Sequence, residues 1–168
     1  IALLGTLNNR DHFITSSYEH PAILKIAEEL EKRGIEVSYI QPNNDGIIEP
    51  NDIENNIKKN TKLISIMYVN NELGTINPID EISKIAKGKN ILFHTDAVQL
   101  IGKRRINLRS MDIDLLSLSA HKFYGPKGVG ALYVKDGINL ITTYYGGGQE
   151  KNLRPGTENI AGIHGMAM

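Results

Sequence analysis

The chain has 168 residues, 40% hydrophobic and 23% charged, a composition typical of a soluble globular domain with its own core. Lysine plus arginine equals aspartate plus glutamate, 19 of each, so no net charge favours nucleic acid or an anionic membrane as a partner. There is no cysteine, and no apolar run approaches the roughly 20 residues that span a bilayer. Disulfides, thiolate metal sites, a cysteine nucleophile and a membrane span are therefore excluded within these residues.

Strand and helix patterns alternate along the chain. Residues 21–33 place Ile23, Ala27 and Leu30 on one helix face, with Pro21 suited to the first turn and Gly34 to the stop. The apolar run over 62–69 is typical of a strand covered on both faces. The predicted elements in order are a strand over 13–16, a helix over 21–33, a strand over 36–40, a short polar helix over 51–59, a strand over 62–69, a helix capped by Asn77-Pro78, and strands over 91–95, 114–119 and 130–134.

This order predicts an α/β fold with a mostly parallel sheet and helices on both faces. The connection between the last two strands is too short for a crossover helix, so one of them should run antiparallel. No linker or repeat divides the chain, and we interpret residues 1–168 as one domain. It opens on Ile1 without an initiator methionine and stops within a helical pattern. We therefore expect the domain to be incomplete at both ends, and a missing targeting segment says little about location.

Three polar clusters follow three of the predicted strands. They occupy residues 68–74 (YVNNELG), 94–99 (HTDAVQ) and 119–122 (SAHK). Ligands of open α/β sheets bind beyond the carboxyl ends of the strands. The clusters together predict a single polar crevice.

The three clusters contain the groups that a pyridoxal phosphate site needs. Such a site requires a lysine amine to hold the cofactor and a carboxylate to keep the pyridine nitrogen protonated. Lys122 can supply the amine and Asp96 the carboxylate. Gln99 follows Asp96 by three residues, so it could reach the same ring if a helix begins there.

Each of these residues also has a simpler interpretation. Asp96 could cap a helix, and Lys122 could be a solvated loop lysine. His20, His94 and His121 could be structural histidines, with His20 placed to cap the helix that follows it. A metal site formed by His94, Asp96 and His121 is a further alternative, because imidazole and carboxylate are suitable ligands.

The chain resembles the cysteine desulfurases of the class V aminotransferase superfamily over essentially its whole length. These pyridoxal-phosphate-dependent enzymes are homodimers that take sulfur from L-cysteine. The resemblance is closest to the branch that supplies iron–sulfur cluster and nitrogenase assembly. The segments that carry it are SSYEHPAIL (16–24), YVNNELGTINPI (68–79), HTDAVQLIGK (94–103), SLSAHKFYGPKGVGALYV (117–134) and GGGQEKNLRPGTENIAGI (146–163).

The resemblance implies a role for eight residues of this chain. Lys122 would be the Schiff-base lysine and would move protons in catalysis, with His20 stacked on the cofactor ring and assisting. Two further pairs would bind the cofactor: Asn71 and Gln99 near the ring hydroxyl and imine, and Ser119 and His121 at the phosphate. Asp96 would face the pyridine nitrogen, and Thr157 would reach the phosphate of the partner subunit. The resemblance implies no role for His94 and no metal.

Members of this family are considerably longer at both ends. Their N-terminal part carries a glycine- and threonine-containing phosphate cradle. Their C-terminal part carries a substrate-binding arginine and a mobile loop whose cysteine accepts sulfur as a persulfide. The resemblance thus implies an aspartate aminotransferase-like large domain, and we expect these 168 residues alone to be inactive.

The predicted function is part of a cysteine desulfurase that converts L-cysteine to L-alanine for iron–sulfur cluster assembly. The expected partners are a second copy of the chain and an iron–sulfur scaffold or other sulfur acceptor, without nucleic acid or membrane, in the cytoplasm. A selenocysteine lyase or an aminotransferase of the same class is the main alternative. A non-catalytic scaffold of the same fold is another, although intact Lys122, Asp96 and Gln99 argue against it.

Overall fold

The computed structural model describes residues 1–168, which form five helices and six strands. Two short 3-10 turns, Ala120–Phe123 and Glu150–Asn152, add to these elements. The elements are α1 (Ala2–Thr6), β1 (His12–Ser16), α2 (Pro21–Lys32), β2 (Glu36–Ile40), α3 (Pro50–Asn55), β3 (Thr61–Ser65), α4 (Ile79–Gly88), β4 (Leu92–Asp96), β5 (Leu115–Ser119), β6 (Gly130–Val134) and α5 (Ile160–Ala167).

All six strands form one sheet in the order β2-β1-β3-β4-β5-β6. The first five are parallel, and β6 runs antiparallel to β5, with Ser119 opposite Gly130. The predicted antiparallel strand is thus confirmed, because ten residues join β5 and β6 without a crossover helix.

Helices cover both faces of the sheet, as predicted, because neighbouring strand residues point to opposite sides. Phe13 of β1 and Leu115 of β5 pack with α1 and α2 on one face. Ile14 and Leu116, one position later, pack with α3 and α4 on the other. Side chains at alternate positions of the central strands are fully buried on either face. None of the five helices combines the length and apolar character needed to cross a bilayer.

Several boundaries differ from the prediction. Helix α1 was not predicted, α3 ends at Asn55 and leaves Ile57 outside it, and β3 ends at Ser65. Beyond Ser65 the chain stays extended and donates to β4, from Ile66 N to His94 O (3.2 Å). Strand β1 has already ended at Ser16, so this extension is paired on one side only.

Asn77 does not cap α4, which corrects the prediction. The capping position is Pro78, and no side chain accepts there. The Asn77 amide instead donates to Met67 O (2.8 Å) and accepts from Ile48 N (2.9 Å) and Tyr18 Oη (3.0 Å). Asn77 is buried, and these bonds tie three loops at the end of the sheet.

Candidate active site

A cavity of about 760 Å³ opens at the carboxyl ends of β3, β4 and β5, beside α1 and the start of α2. The structure therefore brings the three predicted polar clusters together. The predicted site residues that line this cavity are His20, Asn71, Asp96, Gln99, Ser119, His121 and Lys122.

Lys122 lies on the 3-10 turn that follows β5. The turn ends at Tyr124, whose left-handed backbone (φ 67°) redirects the chain. Gly102 packs closely against Phe123, the residue after Lys122, and a Cβ at position 102 would clash with the Phe123 Cβ. Lys122 forms no ion pair with any carboxylate. Lys122 therefore lines the cavity with no carboxylate paired to its amine.

Asp96 is the last residue of β4, and its half-buried carboxylate lines the cavity. Oδ1 accepts from Val98 N (2.9 Å), so Asp96 does cap the turn after β4, as the simpler interpretation supposed. Burial raises the pKa of Asp96, and the Val98 hydrogen bond and nearby His20 partly offset this. The structure gives Oδ2 no hydrogen bond, which leaves it available to a cation in the cavity.

His20 both caps α2 and lines the cavity, although sequence analysis treated the capping and cofactor roles as alternatives. It precedes Pro21 as the N-cap of α2, and its Nδ1 accepts from Ala22 N (3.1 Å). It also lines the cavity. Because Nδ1 accepts a hydrogen bond, neutral His20 carries its proton on Nε2.

The remaining cavity residues supply further polar groups. Ser119 Oγ and His121 Nδ1 lie 2.8 Å apart beside Lys122, an arrangement suited to an anion. Gln99 lies in a turn rather than a regular helix, and its Oε1 accepts from Lys103 Nζ (2.9 Å), which leaves the amide NH₂ to donate elsewhere. The Asn71 amide donates to Glu72 Oε1 (2.9 Å).

Thr157 does not line this cavity within the single chain. It lies exposed in the loop that precedes α5. Nearby Arg154 is also exposed and donates only to Pro155 O (3.0 Å).

His94 is fully buried in the sheet and is among the residues that line the cavity. Nδ1 bonds to the hydroxyl of Ser65 (2.8 Å) and Nε2 to that of Ser117 (2.9 Å), so both ring nitrogens are engaged. Burial lowers the pKa of His94 to about 3, and the ring is neutral. No three histidine, aspartate or glutamate side chains are grouped as metal ligands would be. The structural interpretation of His94 fits this environment, and the metal alternative does not.

Sequence analysis missed several residues at or near the cavity, including Tyr144 in its lining. Ser117 and Met67 line it, and Glu19 lies buried behind it. Ser117 could have been found, because it is two residues before Ser119 on one strand and so shares its face. Nothing in the sequence distinguishes Glu19 from a solvated acid at a helix start.

The donor set fits pyridoxal phosphate. An unpaired amine, a carboxylate with one free oxygen, and a hydroxyl–imidazole pair line one cavity. These groups match the aldehyde, the pyridine nitrogen and the phosphate of that cofactor.

The family model for aminotransferase class-V matches residues 1–168. The chain belongs to this family. Cysteine desulfurase IscS of Dictyoglomus turgidum is 54% identical over 155 residues, which is 92% of this chain and 39% of the relative. The mitosomal cysteine desulfurase of Trachipleistophora hominis is 49% identical over 151 residues, covering 89% of this chain and 34% of the relative.

Solved structures agree with this class-V assignment. A structure described as SspA in complex with cysteine has a TM-score of 0.91 and 47% identity, covering 94% of this chain and 46% of that one. A NifS-like protein has a TM-score of 0.90 and 42% identity, and the match covers 94% of this chain and 44% of that protein's chain. The chain spans about two fifths of the length of the curated relatives.

Proposed function

We propose that this chain is the central part, within the cofactor-binding large domain, of a pyridoxal-phosphate-dependent cysteine desulfurase. The observation that carries the proposal is the convergence of Lys122, Asp96 and His20 on one cavity. The 54% identity to a cysteine desulfurase supports the choice of reaction within the family.

Each cavity residue then has a defined task. Bound pyridoxal phosphate supplies an electron sink for negative charge at the substrate α-carbon. The Lys122 amine would hold the cofactor and move a proton at that carbon, assisted by His20 through Nε2. Asp96 Oδ2 would accept a hydrogen bond from the protonated ring nitrogen.

The remaining predicted residues would orient the cofactor. Ser119 and His121 would bind its phosphate, since their hydroxyl and imidazole lie side by side. Gln99, through its free NH₂, and Asn71 would donate to the ring substituents. These contacts fix the ring relative to Lys122.

The reaction breaks the carbon–sulfur bond of L-cysteine and transfers the sulfur atom to a thiol. The products would be L-alanine and a protein persulfide. The chain contains no cysteine, so the accepting thiol must come from outside these 168 residues. We propose that the sulfur then passes, in the cytoplasm, to an iron–sulfur scaffold or another acceptor protein. The cysteine desulfurase of Trachipleistophora hominis, by contrast, is mitosomal.

The test is to supply the full-length protein that contains this chain with L-cysteine and a thiol reductant. We expect equal amounts of L-alanine and sulfide. Selenocysteine as the only productive substrate would instead identify a selenocysteine lyase. Amino transfer to a 2-oxo acid without sulfide would identify an aminotransferase, and no bound cofactor would indicate a scaffold.

We also propose that the active protein is a homodimer in which Thr157 reaches the partner's phosphate site. The support is the position of Thr157 in an exposed, glycine-rich loop outside its own chain's cavity. Glycine allows a loop backbone to approach another surface closely. Arg154, with its guanidinium unpaired by any carboxylate, lies in the same loop and suits an anion.

Mixed dimers test this arrangement. Lys122→Ala and the double variant Arg154→Ala, Thr157→Ala should each be inactive or nearly so. Co-expression with two tags would yield heterodimers in which one site carries every lesion and the other carries none. Purified heterodimers should recover roughly half the wild-type rate, because a two-fold dimer has two equivalent sites.

The matched control pairs Lys122→Ala with Asp96→Asn. Both residues belong to the same chain's cavity, so neither site of that heterodimer is intact and no recovery is expected. An active monomer in sedimentation, or equal recovery in both heterodimers, would contradict the shared site.

A further inference from the structure

Glu19 is a fully buried acid in the turn between β1 and α2. One oxygen, Oε1, accepts from Ser16 Oγ (2.6 Å) and from Met67 N (2.8 Å). The other, Oε2, is buried without any hydrogen-bond partner. Glu19 immediately precedes His20, and Met67 itself lines the cavity.

The hydrogen bond from Met67 N to Glu19 extends the sheet's hydrogen-bond pattern beyond the carboxyl end of β3. Past the end of β3, Ile66 N and Tyr68 N donate to β4, at His94 O (3.2 Å) and Asp96 O (2.9 Å). Met67 N lies between them and points to the opposite side, as alternate amides of a strand do. Strand β1 would pair there, but it ends at Ser16. Glu19 Oε1 takes the place of the missing strand carbonyl.

Glu19 therefore connects two parts of the candidate site. Through Met67 it holds the segment whose next amide pairs with the Asp96 backbone, and through the main chain it fixes the start of His20. Because a buried amide without a partner is costly, this bond determines where the segment lies.

The environment of Glu19 favours its neutral form. Burial, with a smaller contribution from nearby Asp96, raises the pKa of Glu19 to about 8, although the hydrogen bonds from Ser16 and Met67 oppose the rise. The titratable groups around it are Asp96 at the end of β4, Tyr18 in its own turn, and His20, the next residue along the chain. An anion with one bare buried oxygen would be costly, and a second carboxylate beside Asp96 would add repulsion.

We propose that Glu19 is a positioning residue that works as a buried neutral acid, bracing His20 and the Met67 segment while leaving the negative charge of the site to Asp96. This inference rests on the proposed function, because a positioning role presupposes that His20 and Asp96 form the active site. Asp96 is the better carrier of charge because it is less buried, accepts from Val98 N and lies near His20.

Infrared spectroscopy of the full-length protein tests the protonation directly. We expect a carboxylic-acid C=O band at neutral pH that disappears as the pH rises through about 8. The band should be absent in Glu19→Gln and present in the control Glu36→Gln, whose carboxylate is exposed and paired with Lys58. A wild-type spectrum without this band would overturn the proposal.

Thermal unfolding gives a second readout that needs no substrate. A pKa raised by folding makes wild type lose stability as the pH rises from about 4.5 to about 8. Glutamine stays neutral, so the melting temperature of Glu19→Gln relative to wild type should increase over that range and level off above it. A difference that does not change with pH would contradict a protonated Glu19. Neither readout depends on cysteine desulfurase activity, so they can fail separately from the proposed function.

Turnover shows whether the position matters. Glu19→Ala leaves the Met67 amide without an acceptor, and we expect kcat to fall about tenfold. Glu19→Gln keeps an acceptor oxygen and should restore most of that loss at neutral pH. Equal losses in both variants would show that the negative charge itself is needed and would refute the neutral acid.

Discussion

Replacing Lys122 by alanine is expected to abolish covalent retention of pyridoxal phosphate. Turnover of L-cysteine should fall by roughly 10²- to 10⁴-fold or more, because a positioned acid–base group usually contributes that much to the rate. Lys122 is the only lysine among the residues that line the cavity. Wild-type protein treated with borohydride should carry the cofactor on the peptide that contains Lys122. The Lys122→Ala protein should lose the cofactor on denaturation after the same treatment.

Lys127 provides the control for this experiment. It is an exposed lysine five residues further along, and it does not line the cavity. Lys127→Ala should therefore trap the cofactor and turn over as wild type does. If the Lys122→Ala protein still retained pyridoxal phosphate covalently, the assignment of the reactive amine would be wrong.

Asp96→Asn should keep the cofactor bound but lose about 10²- to 10³-fold in rate, the scale seen when one preorganised electrostatic contact is removed. Asparagine retains the Oδ1 that accepts from Val98 N, so the turn after β4 should persist. It removes the negative charge that would keep the ring nitrogen protonated. Cofactor content, measured by absorbance of the released cofactor, and the rate of alanine formation separate binding from chemistry.

The control for Asp96 is Asp136→Asn, at an exposed loop position away from the cavity. It should change neither cofactor content nor rate. Near-normal turnover by Asp96→Asn would contradict the assigned role. If Asp96→Asn lost cofactor but each remaining cofactor-loaded site worked at the wild-type rate, Asp96 would act in cofactor binding alone.

The strands of this fold could be predicted because their patterns are local. The spans predicted for β2 and β6 agree with the structure, and that for β5 differs by one residue, since short apolar runs bounded by turn residues favour strands. Connection length alone predicted that one of the last two strands runs antiparallel. The order β2-β1-β3-β4-β5-β6 is a result of the tertiary structure, because strand neighbours depend on packing between distant segments.

The candidate site divides in the same way. Lys122, Asp96 and Gln99 could be chosen from sequence because each lies at or just beyond the end of a strand, and the carboxyl ends of parallel strands meet at one edge of a sheet. The resemblance to a family added His20, Asn71, Ser119, His121 and Thr157. The position of Thr157 outside the cavity could not be predicted, since it depends on where the last loop lies relative to the sheet.

By itself, the sequence determined the α/β architecture, the family resemblance and most of the residues that meet in the cavity. Only the tertiary structure decided which polar groups are buried. Asn77 and Glu19 both look like residues at the start of a helix, yet each bonds to the main chain at Met67, which is 48 residues from Glu19. Whether a carboxyl is solvated or neutral depends on the segments that fold over it, because the pKa follows burial and nearby charge rather than local sequence.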